Sequence, residues 1–141
     1  MTGIVVVSHS APLARAAVDL ASQMTRGKGP RIEIAAGVAD AGAPDDLGFG
    51  TDATAVSAAI ERAADAHGVL VLMDLGSAVM SANLALELLD PELAGRVRLS
   101  AAPLVEGLVG AVVTASTGAD LDEVAGQADL AAEAKRLQVD S

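Results

Sequence analysis

His9 stands between two hydroxyls in Ser8-His9-Ser10 and directly follows the apolar run Gly3-Ile4-Val5-Val6-Val7. Near pH 7 a neutral imidazole is a good nucleophile or base, and a carboxylate bonded to one ring nitrogen fixes its tautomer and stabilises a cation formed on the ring. Asp74 is the matching carboxylate. It closes a second apolar run, Val69-Leu70-Val71-Leu72-Met73, and leads into Leu75-Gly76-Ser77. Two expected helix starts, Ser10-Ala11 and Gly76-Ser77, offer free backbone N–H groups and positive dipole ends to an anion. Gly76 lets the backbone come close to it, and the hydroxyls of Ser10, Ser77 and Thr51 can add hydrogen bonds. The ligand that suits this set is a phosphoryl group carried on the histidine itself. The plainer alternative makes His9 a loop residue or helix cap and Asp74 the cap of the helix that follows it.

These residues reach one another only if the chain alternates strands and helices. After His9, the segment Ala11 to Met24 places Leu13, Ala16, Ala17, Leu20, Ala21 and Met24 at helical spacing, with Ser10 as N-cap and Pro12 tolerated in the first turn. Arg31 to Ala36 alternates like a strand near the sheet edge, and residues Gly37 to Gly50 form a long loop carrying the acidic pair Asp45-Asp46. Thr51 is the expected cap of a second helix over Asp52 to His67, with Ala55, Val56, Ala59, Ile60, Ala63 and Ala64 as its apolar stripe and Gly68 as its stop. The third strand, Val69 to Met73, has the continuous apolar character of a parallel strand covered on both faces.

A third helix from about Ser77 to Leu89 carries apolar residues on more than one face, as burial on two sides or a subunit interface would require. Asp90-Pro91 stops it. Arg96 to Ser100 is expected as a fourth strand, Leu104 to Ser116 as a fourth helix, and Asp120 with Glu123 as the capping-box start of a last helix ending near Leu137. The expectation is one α/β domain over residues 1–141, frayed at its last few residues. It is a doubly wound, mainly parallel four-stranded sheet of order 2-1-3-4, with helices on both faces. Strands one and three are then neighbours at the topological switch point, where ligands gather beyond the carboxyl ends of the strands.

Composition removes several functions. The 141 residues carry 19 acidic and 9 basic side chains, a formal charge of −10, which repels nucleic acid and anionic membranes. Cysteine is absent, excluding disulfides and thiolate chemistry, and two histidines are few for a transition-metal site. No apolar run reaches the ~20 residues needed to cross a bilayer, and no charged leader precedes the first strand, as expected of a cytoplasmic protein. The lysines are Lys28 and Lys135, neither in a Gly-x-x-x-x-Gly-Lys-Ser/Thr setting, so an independent P-loop nucleotide site is not expected. His67, at the end of the second helix, reads as a structural or solvated residue, and Arg15 as part of a solvated helix face.

Several segments together resemble a known family: Gly3 to Ser10, Gly50-Thr51-Asp52-Ala53, Leu72 to Met80 with Asn83 to Leu89, and Ala102 to Gly107. They are similar to the DhaM family of phosphotransfer subunits in phosphoenolpyruvate-dependent dihydroxyacetone kinases, within the mannose-class EIIA fold. Asp74-Leu75-Gly76-Ser77 is the most specific part. The resemblance implies a phosphotransferase acting in a relay. The phosphocarrier HPr, charged by Enzyme I, passes its phosphoryl group to His9, and the phosphohistidine rephosphorylates ADP on the DhaL subunit, whose ATP serves DhaK. It implies no cofactor bound by this chain itself, Asp74 as the orienting carboxylate, and the Gly76-Ser77 helix start as part of the phosphate cradle. Mannose-class relatives are homodimers, which suits the third helix, and the length of the chain matches the single-domain form of the family.

Three other readings compete with this one. A sugar-permease EIIA component would share the fold and the histidine but serve a IIB acceptor. A small tetrapyrrole chelatase also has a histidine after its first strand but needs further metal ligands. A non-catalytic scaffold could keep the fold without the chemistry.

Overall fold

In a computed structural model, residues 1–39 and 47–141 are described, so the pair Asp45-Asp46 lies outside the described residues. Strand β1 (Gly3–Ser8) is buried along its whole length, as its β-branched run requires. On one side it pairs with β2 (Ile32–Ala36), and on the other with β5 (Val69–Met73), which in turn pairs with β6 (Val97–Ser100). All these pairings are parallel, and the sheet order β2-β1-β5-β6 is the expected 2-1-3-4. The short strands β3 (Val38–Ala39) and β4 (Leu47–Gly48) form a separate antiparallel ribbon inside the segment expected to be loop. Val7 lies opposite Met73 in the register, so the residues that leave β1 and β5 emerge side by side.

Helices cover both faces. On one, α1 (Ala11–Gln23), α5 (Leu104–Ser116) and α6 (Leu121–Asp140) pack on Ile4, Val6, Leu70 and Leu72. On the other, α2 (Ala53–Ala63) and α3 (Gly76–Leu88) pack on Val5, Val7, Val69 and Val71. The contact surfaces are made of small side chains: α1 buries Ala11, Ala14, Ala17 and Ala21, and α3 buries Ala78, Ala82 and Ala85. At the amino end of β1 the approach is closer still. A Cβ on Gly3 would fall 2.1 Å from the carbonyl oxygen of Ala63.

Several expected elements are corrected. On α1 only Ala17 and Ala21 of the expected stripe are buried, because Ala16 faces solvent and Leu13, Leu20 and Met24 are 45%, 44% and 54% exposed. An alanine-rich helix offers two overlapping apolar stripes, and against a sheet already filled by valine and leucine the smaller one packs inward. Thr51 does not cap α2; Asp52 does, its side chain accepting from Thr54 N at 3.0 Å. Nor does α2 reach His67. It stops at Ala63, and Asp65 Oδ1 instead accepts the N–H of His67 at 2.7 Å, a local turn that competes with further helix. Gly68 is therefore a turn residue with φ of 91°, not a helix stop.

The single chain buries only one face of α3, leaving Met80, Leu84 and Leu88 exposed. Asp90-Pro91 ends α3 as expected but also starts a one-turn helix, α4 (Pro91–Ala94), through Asp90 Oδ1 and Glu92 N at 2.9 Å. β6 begins at Val97, one residue later than expected, and α6 continues to Asp140 instead of ending near Leu137.

Candidate active site

Ser8, His9 and Ser10 lead from the end of β1 into α1, while Asp74 and Leu75 lead from β5 into α3. The parallel register sets these two turns next to each other at the carboxyl edge of the sheet. Asp74 receives four hydrogen bonds there. Its Oδ2 accepts from His9 N at 2.9 Å and from the Ser8 hydroxyl at 2.8 Å. Its Oδ1 accepts from Leu75 N at 2.7 Å and faces His9 Nδ1 at 2.8 Å. Burial opposes ionisation of Asp74, but the His9 N–H, the His9 ring, the Ser8 hydroxyl and the Leu75 N–H together outweigh it, and the carboxyl titrates below its ordinary value.

An ionised Asp74 can only accept, so the proton of a neutral His9 lies on Nδ1 and the lone pair on Nε2. Nε2 points at the hydroxyl of Ser77, in the first turn of α3. The imidazole keeps 23% of its side-chain surface exposed, enough for an incoming group to reach it. The start of α3 has no side-chain cap, so the N–H groups of Gly76 and Ser77 are open to an anion. A Cβ on Gly76 would meet nothing within 4 Å. Alongside runs a crevice of about 710 Å³ at the carboxyl ends of β5 and β6, lined by Asp74, Leu75, Gly76, Asn83, Ala101 and Pro103.

The structure brings His9, Asp74, Gly76 and Ser77 together, and it puts the alternative of Asp74 as a helix cap aside, since α3 has no side-chain cap. Ser10 and Ala11 adjoin them with less to offer. Ser10 Oγ caps α1 through Leu13 N at 3.3 Å, the N–H of Ser10 goes to Ser8 Oγ at 3.1 Å, and Pro12 has none, which leaves the N–H of Ala11. Thr51 is turned elsewhere: its hydroxyl lies 3.3 Å from Ser77 O and 2.6 Å from Ser81 Oγ. Its loop is tied to the site through Gly50 N, which donates to His9 O at 3.0 Å.

Ser8 was missed by sequence reasoning, although a lone hydroxyl ending a wholly apolar strand was the available signal. His67 lies beside Asp65 in the turn before β5, at the amino end of the sheet, away from His9. The described residues contain no cluster of three or more His, Asp or Glu placed to hold a metal ion, and none of their helices is long and apolar enough to cross a membrane.

The model of the family described as "PTS system fructose IIA component" matches residues 3–125. Over 139 residues, 99% of this chain, it is 52% identical to the phosphoryl donor subunit DhaM of the PEP-dependent dihydroxyacetone kinase of Escherichia coli, and 50% identical to that of Klebsiella michiganensis. The chain spans 29% of the length of each of these relatives. A DhaM phosphoryl donor subunit of Listeria innocua is 34% identical over 80% of this chain and 85% of its own length. The crystal structure of EF1359, a protein of unknown function, has a TM-score of 0.76 and 30% identity, covering 93% of this chain and 96% of that one.

Proposed function

The chain belongs to the family of PTS system fructose IIA components, in the company of DhaM phosphoryl donor subunits, and from that premise we propose that it is a histidine phosphocarrier with His9 as the carrier. The observation that carries this reading is the pairing of His9 Nδ1 with an ionised Asp74, which leaves the lone pair on Nε2, beside the Ser77 hydroxyl at an uncapped helix start. In the first step the Nε2 lone pair attacks the phosphorus of a phosphorylated donor, HPr. The donor's bond to phosphorus breaks as the Nε2–P bond forms. Asp74 holds the Nδ1 proton and balances the charge on the ring, while the N–H groups of Gly76 and Ser77 receive the phosphoryl oxygens. The Ser77 hydroxyl turns from Nε2 to one of those oxygens.

In the second step a terminal phosphate oxygen of ADP attacks the phosphorus, Nε2 recovers its lone pair, and ATP is released. Positioning and electrostatics do the work, as is general for phosphoryl transfer. The relatives named as donor subunits of dihydroxyacetone kinase support an ADP held on DhaL, with DhaK as the consumer of the ATP. Ser10, Ala11 and Thr51 shape the rim of the site. The open ridge Met80, Leu84 and Leu88 on α3 is the face through which two copies of the chain form a homodimer.

The test is to incubate the protein with phosphoenolpyruvate, Enzyme I and HPr and to look for an acid-labile phosphoryl group that is missing in His9→Ala. An unlabelled wild type overturns the reading. Adding DhaL with ADP should then discharge the label and yield ATP, whereas discharge only by a permease IIB component would identify a sugar-transport EIIA instead.

A further inference from the structure

Within the phosphocarrier reading, we propose that Ser8 is the positioning residue that decides which nitrogen of His9 is nucleophilic, acting through the carboxylate of Asp74. Alternation along β1 sends Ile4, Val6 and Ser8 to one face of the sheet, and Ile4 and Val6 fill the core there. Ser8 sets a hydroxyl at the end of that row with no exposure to solvent. Its proton goes to Asp74 Oδ2 at 2.8 Å in preference to Ser10 O at 3.1 Å, because the carboxylate is nearer and charged. Its oxygen accepts the N–H of Ser10 at 3.1 Å. One buried hydroxyl thus joins the start of α1 to the carboxylate that follows β5.

The consequence lies in how Asp74 is held. Ser8 and His9 N fix Oδ2 from two directions, which leaves Oδ1 to Leu75 N and His9 Nδ1. On the other side of the ring Ser77 offers a hydroxyl, which can donate to a bare Nε2 or accept from an Nε2–H. Ser77 therefore tolerates either tautomer, and the choice is made at Asp74. Without the Ser8 hydroxyl, Oδ2 keeps only the His9 N–H and the carboxylate can tilt about its Cβ–Cγ bond. The Nε2–H tautomer then competes, and it presents no lone pair to a phosphoryl donor.

Nitrogen-15 NMR of the His9 ring in the unphosphorylated full chain reads the tautomer directly. Wild type should show Nδ1–H alone, whereas Ser8→Ala and Ser8→Cys should show a mixture and accept phosphoryl groups from HPr about tenfold more slowly, the scale of one lost charge-assisted hydrogen bond. Cysteine keeps the volume with a feeble donor, so it carries the test if the alanine variant does not fold. Ser8→Thr, which restores the hydroxyl, should recover both the single tautomer and the rate. A pure Nδ1–H tautomer in either Ser8→Ala or Ser8→Cys overturns the proposal, as does a threonine variant no better than alanine. The NMR measurement needs no phosphoryl donor, so a wild type that is never phosphorylated would sink the phosphocarrier reading while leaving the tautomer comparison intact.

Discussion

The backbone N–H and the ring Nδ1 of His9 bind the two different oxygens of Asp74, at 2.9 and 2.8 Å. A single carboxylate therefore fixes both the main chain and the side chain of the histidine, and ring rotation is coupled to the position of the turn after β1. Asp74→Asn should test this coupling. An amide has one acceptor oxygen and cannot serve both groups without turning its NH2 toward a donor. We expect phosphoryl acceptance by His9 to fall on the order of 100-fold or more, by analogy with other carboxylate–histidine pairs. Stopped-flow or quench measurement of labelling by phosphorylated HPr gives the number, and a loss under threefold would refute the coupling.

Asp74 also ties the site to acid stability. Its folded-state pKa lies below the ordinary carboxylate value, despite burial, because of the donors around it. Its ionisation therefore stabilises the fold above the unfolded value, and the contribution disappears as pH falls through the folded one. Urea midpoints measured between pH 7 and pH 3 should drop in wild type across the acid end of that range. In Asp74→Asn the midpoint should be lower at pH 7 and change less on acidification.

Two glycines should respond differently to the same substitution. Gly3→Ala drives a Cβ to 2.1 Å from the Ala63 carbonyl oxygen, so β1 and α2 must separate. The expected loss is about 1–3 kcal/mol, in the range of overpacked cores, visible as a lower denaturation midpoint. Gly76→Ala meets nothing within 4 Å and should leave stability within about 0.5 kcal/mol of wild type. Its methyl would stand at the helix start proposed to receive the phosphoryl oxygens, so labelling of His9 should slow while the fold is unchanged.

Met80 and Leu84, 73% and 54% exposed on α3, give a test of assembly. If two copies meet along this ridge, Met80→Glu with Leu84→Asp should convert a dimer to a monomer in sedimentation velocity while the melting curve of the monomer stays cooperative. A double variant that remains dimeric would place the contact elsewhere.

The sheet was readable because β1 and β5 hold continuous apolar runs, Ile4 to Val7 and Val69 to Met73, whose shortness and β-branched content fit strands covered on both faces. Their adjacency followed from the alternation of elements, and with it the meeting of His9 and Asp74. The inward face of α1 was harder to read, since Ala16 and Leu20 fit a helical stripe as well as Ala14 and Ala21 do, and only close packing on the sheet selects between them. The end of α2 was set by a side chain, Asp65, that captures a backbone N–H two residues on. Ser8 looked like a flank of the histidine, because its bond to Asp74 spans 66 residues that no local pattern connects.

The alanine faces of α1 and α3 make the sensitivity of these two seams to mutation one-directional. Alanine has almost no side-chain volume to lose, so the truncations that hollow out a leucine-rich core have little to remove at these seams. Any enlargement, even to valine, must push a helix off the sheet. For α1 and α3 such a displacement would carry Ser10 or Ser77 with it, so crowding far along either helix would be read out as misalignment around His9.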